Sequence, residues 1–192
     1  MVLYLSIISI ASIFIVLGNV FFNSLGMTWH YITLLVLLSV IIEIVIDIIF
    51  ATIMRWIIPS RFASVDRKKF YPASKKEQIF YEKIGIKKWK NKVLELGAVT
   101  GFRKNKLGDT KDNKYVERFI VEANYGILVH IACMVFGFFI ILICPRGFRL
   151  SVGLPVAIVN FVLNFMSNSI LRYNLPKLHT LYKFNLRKLK QN

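Results

Sequence analysis

Acidic residues, cysteines and catalytic signatures are all scarce in this chain, and each shortage removes a class of explanation. Ten Asp and Glu stand against 26 Lys and Arg, a net charge of +16 over 192 residues. There is no G-x-S-x-G elbow, no Walker-type glycine loop, no C-x-x-C pair and no H-E-x-x-H, so serine-hydrolase, P-loop, dithiol and zinc-protease chemistries have no anchor. The two cysteines, Cys133 and Cys144, lie eleven residues apart on one apolar run. That separation suits neither a disulfide nor a metal-ligand pair, so both read as packing residues. His30 and His179 are too far along the chain to complete a metal site with His130. No metal is expected, and no internal repeat or low-complexity tract stands out.

What the chain does have is apolar length. A sequence that is 56% hydrophobic yet strongly basic is too apolar for a soluble domain and too charged for a simple anchor. It reads as an all-α integral membrane protein, a single membrane domain over 1–192 with four transmembrane helices at about 2–22, 31–58, 122–144 and 150–171. Val2 to Phe22 carries no charge. A cleaved signal sequence competes for it, but there is no Lys or Arg ahead of the run, and the run exceeds the roughly 7–15 residues of a signal core. The short uncharged connection Asn23–Trp29 makes the first two spans a hairpin.

The charge sits between the second and third spans. Residues 59–118 hold 17 basic against 7 acidic residues, +10 of the total +16, which places this loop in the cytoplasm, with Arg55, Arg61 and Arg118 pointing the same way. Both termini are then cytoplasmic. Ser74 and Glu77 have capping-box spacing ahead of Ile79 and Phe80, and Gly85 interrupts the helix they start. Ile86, Trp89, Val93 and Leu96 recur at helical spacing among Lys87, Lys88, Lys90 and Lys92. This predicts a basic amphipathic helix on the anionic lipids of the inner leaflet, ended by Gly97. Ala98–Asn113 reads as loop, with Asp112 or Asn113 capping the helix that runs on into the third span. Beyond the fourth span, Leu178, Tyr182, Leu186 and Leu189 among Lys183, Arg187, Lys188 and Lys190 predict a second interfacial helix over 172–192, with Pro176 near its first turn.

Polar residues inside the spans carry the functional question, because each is costly in lipid. Glu43 and Asp47 are spaced i,i+4 on one face of the second span. They either hold helices together or face a polar interior. Asn160, Asn164 and Asn168 form an i,i+4,i+8 stripe on the fourth, as hydrogen-bonding glue or as a pocket lining. Glu122 and His130 are eight residues apart, about 12 Å of rise and about 80° of rotation, so both can look to one side. Counted from the cytoplasmic helix ends, Asp47 lies about 16 Å deep and His130 and Asn164 about 12 Å. Glu122, Arg172 and Asn174 sit above this shared layer. In such a layer a neutral His can act as general base on a hydroxyl, a carboxylate can orient it, and Arg or Asn can bind an oxyanion or phosphate. A lone His in a span can equally be a packing residue. With the charge beside the membrane, anionic lipid or a phosphorylated soluble cosubstrate explains the basic loop better than nucleic acid does.

The stretch Trp89-Lys90-Asn91-Lys92-Val93-Leu94-Glu95-Leu96-Gly97, then Phe102-Arg103-Lys104, the Glu122 to His130 spacing, Asn164, and Arg172-Tyr173-Asn174-Leu175-Pro176-Lys177-Leu178 together resemble the glycosyl-4,4'-diaponeurosporenoate acyltransferases. These are small bacterial membrane enzymes that place a fatty acyl chain on the sugar of a glycosylated carotenoid. The resemblance covers about Pro59 to Leu178. It departs at Tyr125, Ile127, Ile131 and Leu175, where the family pattern has two basic residues, an acid and an aromatic. It therefore supports an acyltransferase more than it supports the carotenoid as acceptor.

The resemblance implies acyl transfer in a bacterial cell membrane from acyl-CoA or an acyl-carrier thioester, with no bound cofactor, to a lipid-linked hydroxyl. His130 would be the base and Glu122 its partner or the orienter of the acceptor. Arg172 and Asn174 would contact the donor or the oxyanion, with Asn164, Trp89, Lys90 and Lys92 binding substrate and Lys88 adding attraction for the donor. A non-enzymatic scaffold recruiting partners through the basic loop, or a proton-coupled carrier using Glu43, Asp47 and His130, is the alternative.

Overall fold

The computed structural model describes residues 2–22, 26–67, 70–93 and 110–191, and among these every regular element is helical. The order is α1 (Val2–Phe21), α2 (Trp29–Ile57), α3 (Lys75–Lys83), α4 (Ile86–Trp89), α5 (Asn113–Phe136), α6 (Ile140–Ile143) and α7 (Leu154–Gln191). Four stretches, Leu3–Phe21, Trp29–Ile57, Asn113–Ile143 and Arg146–Leu189, are long and apolar enough to cross a membrane. The chain is a membrane protein.

Local chemistry sets the helix ends. Gly26 takes φ 63°, where a side chain is strained, and Thr28 then caps α2 by accepting from the Tyr31 N–H at 3.4 Å. The helix thus begins at Trp29, two residues ahead of the expected start. Pro59 disfavours helical geometry at Ile58 and closes it. The Ser74–Glu77 capping box is formed in both directions, and Gly85, at φ 73°, separates α3 from α4. Asp112 caps α5 through the Lys114 N–H at 2.9 Å.

Three expectations need correction. The amphipathic helix over 86–96 is one four-residue turn of α4 followed by a 3-10 turn, Lys90–Lys92, and extended backbone at Val93. Leu94–Gly97, Ala98–Asp109 and the Phe102–Lys104 motif lie outside the described residues. The third span is not one α-helix: α5 tightens to 3-10 geometry over Gly137–Phe139 before α6. A Cβ on Gly137 would collide with the Asn160 amide and the Glu43 carboxyl, so this glycine lets three helices close on one another. The third correction concerns the separate helix expected over 172–192. The fourth span instead continues as α7 for 38 residues with Pro176 inside it. Proline cannot donate to the carbonyl four residues back. Here that carbonyl, Arg172 O, accepts the Ala73 N–H of the basic segment at 3.0 Å. An outside donor takes the bond that Pro176 lacks, so the helix persists and the segment is docked on it.

Helices α5 and α7 form the central pair, with α2 against both and α1 at the edge. One core lies toward the α5–α7 turn, built from Ile32, Val36, Ile140, Phe148, Val152 and Val156. Two others occupy the end where α2 stops and α5 begins, here termed the basic end: Val116, Ile120, Leu171 and Leu175 in one, Tyr81, Ile86, Ile170 and Tyr173 in the other. Cys133 and Cys144 are buried and free, Cys144 Sγ lying 3.5 Å from Ser39 Oγ.

Candidate active site

Helices α2, α5 and α7 each contribute polar side chains to one chain of hydrogen bonds in the span region. His130 Nδ1 lies 2.8 Å from Asn164 Oδ1. Asn164 Nδ2 donates to Asp47 Oδ2 at 2.9 Å and to Asn160 Oδ1 at 2.8 Å. Asn160 Nδ2 donates in turn to Asp47 Oδ1 at 3.1 Å and to Glu43 Oε1. Glu43, Asn160 and Asn164 are buried, and His130 is half-buried. Among the described residues, Glu43 Oε2 is a buried atom with no hydrogen-bond partner.

The donors and acceptors in this chain fix its direction. A carboxylate only accepts, so the NH₂ side of Asn164 faces Asp47 and its carbonyl oxygen faces the imidazole. A carbonyl also only accepts, which puts the proton of neutral His130 on Nδ1 and the lone pair on Nε2. The base-competent tautomer is thereby set by an amide, with a carboxylate behind it.

Glu122 is engaged by a cation. Its carboxylate accepts both terminal nitrogens of Arg55 from α2, at 2.9 and 2.8 Å, and Arg55 lies 5.3 Å from the Tyr125 ring. Tyr125 donates to Ile58 O at 3.1 Å, holding the end of α2.

Arg172 likewise meets a carboxylate. It donates through Nε and Nη2 to Glu77 at 2.9–3.1 Å and through Nη1 to Phe70 O at 3.1 Å. Burial raises the Glu77 carboxyl, but the Ser74 N–H and the Arg172 guanidinium outweigh it and hold Glu77 below its ordinary value. Asn174 is half-buried and, two residues on, lies about 200° around α7 from Arg172. The two therefore leave α7 on different sides. Trp89 Nε1 donates to Ile84 O at 3.1 Å, Lys90 Nζ lies 5.7 Å from the Tyr173 ring centroid, and Lys92 is exposed.

Several contributors were not singled out in the sequence. Asn160 reads there only as one member of a stripe, Arg55 only as a charge and Glu77 only as a cap. A usable signal was present for Asn160. Glu43 and Asp47 on one run and Asn160 and Asn164 on another share i,i+4 spacing, and two runs crossing in the same direction match such pairs in register. Asn168 continues the stripe, but its buried Oδ1 has no partner among the described residues.

The profile of a family described as glycosyl-4,4'-diaponeurosporenoate acyltransferase matches residues 60–183, 124 of the 192. No curated protein and no solved structure matches the chain. The matched stretch contains His130, Asn160, Asn164 and Arg172, whereas Glu43, Asp47 and Arg55 precede it on α2.

Proposed function

The chain belongs to the glycosyl-4,4'-diaponeurosporenoate acyltransferase family of carotenoid biosynthesis, and from that premise we propose that it moves a fatty acyl chain from an acyl thioester to a hydroxyl of a glycosylated carotenoid or related glycolipid, with His130 as base. The thioester, carried on CoA or an acyl-carrier, comes from the cytosol. The acceptor comes laterally from the bilayer of a bacterial cell membrane, with both termini and the basic segment on the cytoplasmic side over anionic lipid.

The observation that carries this reading is the Asp47–Asn164–His130 chain. His130 Nε2 takes the proton of the acceptor hydroxyl as its oxygen attacks the thioester carbonyl. Asn164 Oδ1 holds Nδ1–H throughout, and the Asp47 carboxylate behind the amide stabilises the positive charge that develops on the ring. When the C–S bond breaks, the imidazolium returns its proton to the leaving thiolate, so no net proton is taken up. Arg172 and Glu122 have structural partners, and their part is to fix the helices that carry the site.

Lipid mass spectrometry on cells with the intact chain and with His130→Ala, at matched membrane levels, tests the proposal. A lipid gaining one acyl mass only with the intact chain supports it and identifies the acceptor; acylation that persists with His130→Ala removes His130 from the chemistry. The unpartnered oxygen of Glu43 favours one second reading, a proton-coupled carrier. That reading requires Glu43→Gln to abolish function, which acyl transfer does not.

A further inference from the structure

Three lysines from three elements gather around one tyrosine at the basic end. Lys90 Nζ and Lys177 Nζ lie 5.7 and 5.6 Å from the centroid of the Tyr173 ring. Tyr173 is buried, and its hydroxyl donates to Glu82 Oε1 at 2.8 Å. Lys87 Nζ meets the same Glu82 oxygen at 2.7 Å. Helix α7 brings Tyr173 and Lys177, one turn apart, and the basic segment brings Glu82, Lys87 and Lys90.

Three cations around a single carboxylate leave a local excess of two positive charges. The ring offsets part of their repulsion through its negative face, but it carries no net charge. An anion completes the set. Ammonium groups on flexible stems suit the point-charge recognition of a phosphate rather than the planar pairing of a carboxylate.

We infer that Lys87, Lys90 and Lys177 around Tyr173 form a binding site for a phosphate or diphosphate group. Lys177 is thirteen residues along α7 from Asn164, about 20 Å of helix rise. That separation matches an extended pantetheine arm, which keeps a thioester away from its phosphate. Lys177 also lies about 220° around α7 from Asn164, so a donor held here by its phosphate carries its arm around α7 as well as along it to bring the thioester to His130. The identity of the donor rests on the acyl-transfer reading; the phosphate site does not.

The test uses the full chain in phosphatidylcholine nanodiscs, titrated with coenzyme A and, separately, with pantetheine, which lacks the phosphates. Coenzyme A is expected to bind the intact chain and to bind Lys90→Gln or Lys177→Gln about tenfold more weakly, the loss of roughly one charge-assisted contact. Lys177→Arg should recover most of the affinity, and pantetheine should not respond to the lysines. If coenzyme A does not bind but phosphatidylglycerol is retained through purification in a lysine-dependent way, the site stands and its phosphate is a lipid headgroup. If neither ligand responds to the lysines in variants that melt like the intact protein, the site assignment is overturned. Acyl transfer that fails while lysine-dependent coenzyme A binding persists breaks the reaction proposed for His130 and leaves this site intact.

Discussion

The span-region layer and the basic end solve the same problem, polar groups from distant elements brought together, with different chemistry. In the layer, neutral amides stand between the carboxyls of Glu43 and Asp47 and the imidazole of His130. At the basic end, acids meet arginines directly, Glu77 with Arg172 and Glu122 with Arg55. The cost of burying charge accounts for the contrast. Far from water an isolated ion pair repays its desolvation only with ideal geometry, whereas an amide brings two donors and an acceptor at lower cost. Where Arg55 keeps 55% of its side chain exposed and Glu77 36%, hydration covers what the pairing does not. The consequence is a division of labour. Ion pairs consume their charges and fix position, while the amide chain orients the His130 ring.

The largest expected effects lie in the layer. His130→Ala should lower acyl transfer by about 10²–10⁴-fold, the usual contribution of a general base, without changing membrane abundance. Asn164→Leu should lower kcat by about 10²-fold with little change in KM, because the imidazole loses the acceptor that fixes its tautomer. Asp47→Asn should cost less, about tenfold in kcat, since an asparagine carbonyl can still accept from Asn164. Equal effects at Asp47 and Glu122 would break the contrast between the two regions. Gly137→Ala should destabilise the protein by about 1–3 kcal/mol by pushing Asn160 and Glu43 apart, read as a lower melting temperature in detergent.

Effects at the basic end should appear in stability and not in kcat. Glu77→Gln or Arg172→Gln is expected to cost about 1 kcal/mol, the half-buried pair being partly screened by water on the Glu77 side. The lowered pKa of Glu77 gives the pH dependence its sign. Its contribution is fully present above the ordinary value of 4.5 and is lost as pH falls through the lower folded value. A melting curve of the intact protein should therefore fall with pH more steeply there than that of Glu77→Gln. Pro176→Ala should have the smallest effect. It restores an N–H that competes with Ala73 for the Arg172 carbonyl, so α7 stays intact while proteolysis near Ala73 speeds up.

Much of the layer was legible because helix rise is fixed. Counting residues from the basic ends places Asp47, His130 and Asn164 at similar depth, and in the structure they meet. The capping box at Ser74 and the cap at Asp112 were also legible, since both depend on side chains a few residues from the backbone they satisfy. The sequence offers Glu122 as partner of His130 or orienter of the acceptor, and the structure pairs it with Arg55. Eight residues of separation allow two side chains to look to one side but cannot say which neighbouring helix carries a competing cation, and Arg55 is that cation. Pro176 misled for a related reason: its local preference is to end a helix, and the compensating donor, Ala73, is a hundred residues away.

The sequence by itself determined the four apolar runs and the order of the polar residues along them, because apolar run length and the rise per residue are local properties. The tertiary structure alone decided the rotation of each helix and therefore the pairings. It set His130 on Asn164, Glu122 on Arg55, and Arg172 on Glu77. Those pairings depend on which faces pack, and helices pack by the fit of whole surfaces that no short stretch of chain contains.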